Sequence, residues 1–270
     1  MNTCAGQRDR TVEATLRFIV DTGVKPVVYP SEGGGPVERQ TGQYIQQLVN
    51  IADARQICAQ LSIDRQGFEL LRRQTGMQDF YCDDQLRAVY DRELEQLIKE
   101  LTAAAKVIVF DHTRRANDQM TREQRGVREP VRTAHSDYTD RSASQRIRDL
   151  LPGDEVEQRL ACRFAIVNIW RPMRGPVRAA PLALCDAQSI DAKDLVATER
   201  RARDRVGEWH GLRIQIGRVE ATRSNERQNR PKVPPLGPAD EGQRVVQPLF
   251  FVVAVVAAGA VRHAHHEFEF

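Results

Sequence analysis

Apolar residues recur at three- and four-residue steps through Leu86, Val89, Tyr90, Leu94, Leu97, Ile98 and Leu101. This single stripe predicts an amphipathic helix from about Asp84 to Ala105, with Asp83 or Asp84 as its N-cap. Glu93, Glu95, Lys99 and Glu100 fall on the opposite, solvated side. Lys106-Val-Ile-Val-Phe-Asp-His112 follows, a short run rich in β-branched residues that reads as a buried strand. Val27-Val-Tyr29, Arg163 to Trp170 and Pro181 to Cys185 read as further strands. Ser142 to Leu151 has the look of a short helix stopped by Pro152-Gly153. Between them, Thr113 to Pro130 is polar and arginine-rich and reads as a mobile loop.

Strands with one or two helices ahead of them predict a β-rich α+β fold, a sandwich or barrel with helices packed outside. The pattern divides the chain into three: an ordered domain over 11–208, a linker or disordered stretch over 209–247, and an apolar run with a His-rich tail over 248–270. The middle stretch is rich in Arg, Pro, Asn and Gln with little periodicity. The run Pro248 to Val261 is shorter than the roughly 20 residues of a spanning helix. It reads as a buried segment completing the core, with a membrane-touching tail as the alternative.

Composition narrows the classes. A net charge of +3 on 270 residues gives no reason to expect nucleic acid or an acidic membrane as partner. Five scattered cysteines without a C-x-x-C pair point to reduced thiols, and Met1 to Arg10 carries no apolar signal core, so a cytoplasmic protein is expected. There is no G-x-S-x-G elbow, and Gly33-Gly-Gly35 fits neither phosphate-binding glycine pattern.

The chemistry-bearing pair is His135-x-Asp137, within Arg132-Thr-Ala-His-Ser-Asp-Tyr-Thr139. Two residues apart on an extended strand, an imidazole and a carboxylate face the same way and can grip one ion. They are two-thirds of the 2-His-1-carboxylate set that holds non-heme Fe(II) with open positions. H-x-D is common, so its surroundings must decide. They comprise Val49-Asn-Ile-Ala-Asp-Ala-Arg55, Asp79-Phe-Tyr81, Val109-Phe-Asp-His-Thr-Arg114, Ala134-His-Ser-Asp-Tyr-Thr139, Val167-Asn-Ile-Trp-Arg-Pro172 and Pro181-Leu-Ala-Leu-Cys-Asp-Ala187.

In this order the six blocks resemble the family of the cephamycin 7-alpha-methoxylase subunit and the fungal AsaB-type hydroxylase/desaturases, over about Val12 to Glu208. The resemblance implies a double-stranded β-helix (jelly-roll) oxygenase using Fe(II), 2-oxoglutarate and O2 to hydroxylate or desaturate a small secondary metabolite. It places His135 and Asp137 as the first two metal ligands. A distal His should follow, and His265 in the terminal cluster is the first choice, with His210 and His263 behind it. A guanidinium suits the distal carboxylate of 2-oxoglutarate, and Arg171 is the candidate anchor, beside Trp170. Asp111 and His112 are candidates for contacts behind the ligands, and Asn168 and Trp170, sharing a strand face, for the substrate cavity. Tyr138 should face away into the core.

Two other readings stay open. One is a catalytically incomplete member acting as scaffold or partner subunit; the weaker is an S-adenosylmethionine-dependent methyltransferase, a label many relatives carry. The simultaneous loss of motif and periodicity after about Glu208 predicts a displaced reading frame. Translating the other frames of the coding DNA past this point should reveal a Trp/Tyr-rich strand and a His-Thr-x-Phe block. Their absence from every frame would leave a divergent or metal-incompetent member instead.

Overall fold

Side chains that alternate between two faces organise the molecule, which was studied as a computed structural model describing residues 11–30, 37–173, 177, 180–203, 206–213, 221–223, 250–258 and 266–269. Its strands are β1 (Thr11–Val20), β2 (Val27–Pro30), β3 (Val37–Gln40), β4 (Gln43–Asp53), β5 (Phe68–Arg72), β6 (His135–Ser136), β7 (Phe164–Trp170), β8 (Leu182–Cys185), β9 (Leu195–Arg201), β10 (Val206–Leu212), β11 (Ala221–Arg223), β12 (Phe250–Ala258) and β13 (His266–Glu269). One sheet runs β1-β4-β11-β8-β13-β6-β10-β9-β2-β3, and a second runs β5-β12-β7.

Strands β1 and β4 are antiparallel along their whole length, from Thr11 opposite Ala52 to Val20 opposite Gln43. Leu16 and Phe18 project from one face onto Val49, Ile51, Ala134, Ala183, Cys185 and Leu212. The large sheet also curls back on itself. Ala134 N–H donates to the Arg17 carbonyl (2.9 Å) and Leu212 N–H to the Ala134 carbonyl (3.0 Å), so β1 flanks the approach to β6. On the other face of β8, Leu182 and Leu184 pack with Ala54, Leu61, Phe68 and Trp170, joining the two sheets. This is the double-sheet jelly-roll architecture.

The expected long helix is present, as a turn α1 (Asp83–Gln85), a π-helical stretch Leu86–Tyr90 and α2 (Asp91–Thr102). Its stripe of Leu86, Tyr90, Leu94, Leu97 and Ile98 is buried against Leu71 of β5 and Val167 and Ile169 of β7. The helix covers the outside of the small sheet, but it follows five strands instead of preceding them. Strand β1 carries a period-two signal, Val12, Ala14, Leu16 and Phe18 alternating with Thr11, Glu13, Thr15 and Arg17, whereas in β4 the pair Gln46-Gln47 interrupts the alternation.

Other local expectations are corrected. Residues 106–112 form no strand: Val107 and Val109 pack toward the helix and small sheet, while Ile108 and Phe110 stay exposed, so packing stands in for ladder hydrogen bonds. The arginine-rich 113–130 stretch contains α3 (Gln119–Arg125), capped by Asp118 and ended by Gly126 at φ 63°. Thr139 caps α4 (Asp140–Leu150) through a reciprocal pair with Ser142, and Pro152 leads into α5 (Gly153–Leu160). Strand β10 crosses the boundary expected at residue 208, and the apolar run supplies β12 between β5 and β7.

Strands β6 and β10 pair with Ser136 opposite His210 and His135 opposite Gly211. His135 and Gly211 therefore share one face, and Ser136 and His210 share the other. Strand β1 approaches so closely here that a Cβ on Gly211 would lie 2.8 Å from Ile19 Cγ2. Gly211→Ala is expected to cost about 1–3 kcal/mol of stability in denaturant titration. With Ile19→Ala added, the loss should fall short of the sum of the two single changes. An unchanged midpoint for Gly211→Ala would refute the tight approach.

Burial pushes the His210 imidazole below its usual pKa, opposed by the charges of Asp140 and Glu208 and by its hydrogen bond to the Tyr138 main chain. The unfolded chain takes up this proton at its ordinary pKa, about 6.5, while the folded imidazole resists it. Stability is therefore lost as pH falls through that value toward the folded one. Melting temperatures at pH 7.5 and pH 5.5 should drop less in His210→Gln than in the parent chain.

Candidate functional site

His135 sits in the centre of the large sheet with its ring only 14% exposed. Nδ1 lies 2.8 Å from the Thr133 carbonyl and donates to it. This selects the tautomer whose Nε2 carries the lone pair. Asp137 Oδ1 is 3.4 Å from that Nε2. The other carboxylate oxygen, Oδ2, accepts from Asn168 Nδ2 at 2.6 Å. Each side chain is thus held by one atom while its second donor atom is turned toward the same point.

Burial works to raise the Asp137 pKa, but contact with the His135 ring in its protonated form, the Asn168 amide and the Arg115 charge outweigh it, holding the acid at about 2 in the absence of an ion. Asp137 is a carboxylate at any physiological pH. Two donors about 2.1 Å from one ion and at right angles lie about 3 Å apart. The observed 3.4 Å is close to that span, so the pair fits a shared cation. Among the described residues, no third His, Cys, Asp or Glu joins them.

The pair lines an open cavity of about 2750 Å³, together with Asn168, Trp209, Arg17 and Tyr44. Trp209 meets the His135 ring edge-on, with centroids 5.7 Å apart and planes at 86°. The Arg17 guanidinium stacks 4.0 Å from the Tyr44 ring centroid. A bridge between Arg17 and Thr133 brings β1 beside the approach to His135. Burial pushes the Cys185 thiol up to about 12, which removes it as a nucleophile.

Strand β7 sorts the remaining candidates by parity. Asn168 faces Asp137 and bonds its carboxylate, and Trp170 on the same face packs into the inter-sheet core while lining the cavity. Ile169 faces the helix, and Arg171 beyond it stacks on Phe80 and Tyr90, at 5.4 and 5.9 Å from their centroids. Arg171 is therefore on the helix side of the small sheet, away from Asn168, and is not brought to the metal pair. His112 is on that side too, 2.6 Å from Asp91 Oδ1 and near the Tyr90 ring, while Asp111 is exposed. Neither contacts His135 or Asp137, because the unpaired 106–112 segment runs over the helix.

Tyr138 turns from the pair to pack with Ala143 and Ile166, as alternation requires. His210 is on the face opposite His135, so the pairing register removes it as a third ligand. His263 and His265 lie outside the described residues. The main chain of β13 runs between β8 and β6, with Glu267 opposite His135. Arg17, Glu208 and Trp209 escaped the sequence reading. Only the strand pairing brings them near the pair, and no local motif marks them.

Residues 16–217 match the family described as oxidoreductase/YMDC permease-like domain, a span that ends near the loss of sequence pattern. Oxidoreductase AN1597 of Emericella nidulans is 29% identical over 204 residues, covering 70% of this chain and 68% of that protein. Hydroxylase/desaturase CTB9 of Cercospora beticola is 30% identical over 176 residues, covering 61% of this chain and 54% of that protein. The chain thus spans only part of the length of these relatives. A solved structure of the iron and alpha-ketoglutarate-dependent endoperoxidase NvfI superposes with a TM-score of 0.74 at 19% identity, covering 98% of this chain and 91% of that one. That likeness agrees with the jelly-roll architecture. With three-quarters of its length inside the matched span, the chain belongs to the oxidoreductase/YMDC permease-like domain family.

Proposed function

We propose that the protein is an Fe(II)/2-oxoglutarate-dependent oxidoreductase, a hydroxylase or desaturase of a small secondary metabolite, working in the cytoplasm. One observation carries this reading: His135 Nε2 and Asp137 Oδ1 converge, 3.4 Å apart, while Thr133 and Asn168 hold the atoms behind them. Relatives named as hydroxylase/desaturase and as Fe(II)/2-oxoglutarate-dependent dioxygenase support it, as does the fold shared with NvfI. The narrower kinship with the cephamycin methoxylase subunit rests on the six sequence blocks alone.

In this reading His135 supplies a neutral donor and Asp137 one negative charge, which partly neutralises a dication and leaves its cavity side open. His265 is proposed as the third ligand, one position ahead of β13 in sequence and two ahead of Glu267, which pairs with His135. Arg17 replaces Arg171 as the guanidinium for the distal carboxylate of 2-oxoglutarate; it lines the cavity and no carboxylate among the described residues pairs with it. When bound, iron and 2-oxoglutarate supply the oxidising power for a C–H bond, and the protein holds and orients the reactants. Trp209 and Trp170 give the cavity apolar walls for a hydrophobic substrate.

A second reading, a scaffold or partner subunit without a working centre, is favoured by the finding of only two ligands among the described residues. Anaerobic titration with Fe(II) separates the two. The parent chain should bind iron and, once O2 is admitted, release succinate and CO2 from 2-oxoglutarate, and His135→Ala and Asp137→Ala should abolish both. Asn168→Ala should weaken iron binding about 10- to 100-fold. A parent chain that takes up no iron would refute the enzyme and leave the scaffold.

A further inference from the structure

We infer that Glu208 is a positioning residue for the His135–Asp137 pair, acting through the hydroxyl of Thr139; the inference deepens the iron-site reading above. Thr139 Oγ1 donates to Glu208 Oε1 at 2.7 Å and accepts from Ser142 N–H at 3.2 Å. Capping α4 requires only the accepting half of this hydroxyl. The donating half is spent on a carboxylate from a strand 69 residues away in sequence.

That carboxylate is costly to place. The Glu208 side chain is only 9% exposed, and burying a charge is unfavourable unless it is paired and hydrogen-bonded. Lys25 provides the close ion pair, and Arg141 Nη2 lies 3.6 Å from the same oxygen. A polar but uncharged side chain would serve the helix cap with no such burden. The arrangement makes sense if the location of Thr139 itself matters.

Thr139 is two residues beyond Asp137, and β10 holds nearly every residue between His135 and Thr139. Gly211 pairs with His135 and His210 with Ser136. Trp209 packs on the His135 ring, the His210 imidazole bonds the Tyr138 main chain, and Glu208 takes Thr139. Asp137 alone lacks a β10 side chain and is held from β7 by Asn168. Its carboxylate is thus suspended between two anchored neighbours. Releasing Thr139 frees the C-terminal anchor, and ligand sites tolerate misplacement of only about 0.5 Å.

The test uses the full chain and compares Glu208→Ala, Glu208→Gln and Ala143→Gly. The Gln variant keeps an oxygen for Thr139; the Gly variant loosens α4 without touching that bond. Three quantities are read: Fe(II) affinity, amide hydrogen exchange at 135–139 in metal-free protein, and melting temperature. Glu208→Ala should weaken iron binding about tenfold and speed exchange at 135–139, and Glu208→Gln should recover most of both. Ala143→Gly should lower the melting temperature with iron affinity unchanged. The inference is overturned if Glu208→Ala lowers the melting temperature while affinity and exchange stay at parent values, or if Gln is as harmful as Ala. A parent chain without iron affinity refutes the iron reading alone, and exchange at 135–139 then decides the positioning claim.

Discussion

The antiparallel pairing of β6 with β10 is the constraint from which the rest of the molecule's organisation follows. Because strand side chains alternate, the register Ser136–His210 and His135–Gly211 decides which groups enter the core and which meet the cavity. A slip of one residue would bury His135 and expose Ser136, which is 4% exposed. The register is locked from both sides. Leu212 and Ala134 belong to the same buried cluster as Leu16 and Phe18, and Gly211 leaves room for Ile19 and nothing more. Core packing thus fixes a chemical site that contains no core residue.

Charge placement follows the same logic. Asp137 and Glu208 are both carboxylates that burial would neutralise, and in both the partners outweigh the burial. For Glu208 the partners are cations and a hydroxyl. For Asp137 they are a ring nitrogen, an amide and a more distant guanidinium. The second set leaves Oδ1 beside His135 Nε2 at the cavity, whereas the first is closed by Lys25 and Thr139. The two carboxylates therefore have different chemical consequences: the exposed Asp137 is open to the cavity, and Glu208 of β10 is closed off by its partners.

Sequence periodicity disclosed those parts whose causes are local. The helix stripe of Leu86 to Leu101, the strand Phe164–Trp170 and the H-x-D pair all depend on residues within a few positions of each other. The run 106–112 misled because β-branched composition reports fitness for a half-buried extended chain and says nothing of a ladder partner. Arg171 misled for a related reason: proximity to Trp170 in sequence hides a switch of face at every step along β7. Glu208 and Arg17 carried no signal, since a Glu or an Arg comes near the His135–Asp137 pair only through a strand far off in the chain. Proof of their roles requires the sheet.

The division of labour on β7 explains why the centre can be both rigid and accessible. Its even positions turn inward, Ile166 to Ala143 and Tyr138, Asn168 to Asp137 and Trp170 to the inter-sheet core, and its odd positions, Val167 and Ile169, anchor the helix. The amide that orients Asp137 thus rides on a strand clamped from behind by α2 and paired with β12 along its length. His135 and Asp137 take their orientation from different sheets, one from its own strand's Thr133 carbonyl and one across the gap from β7. The 3.4 Å between them combines the i, i+2 spacing of one chain segment with the turn that Asn168 gives the Asp137 carboxylate. A change that parts the sheets would loosen the Asn168–Asp137 bond, so the inter-sheet cluster of Leu182, Leu184, Phe68 and Trp170 supports the orientation of that carboxylate as well as the fold.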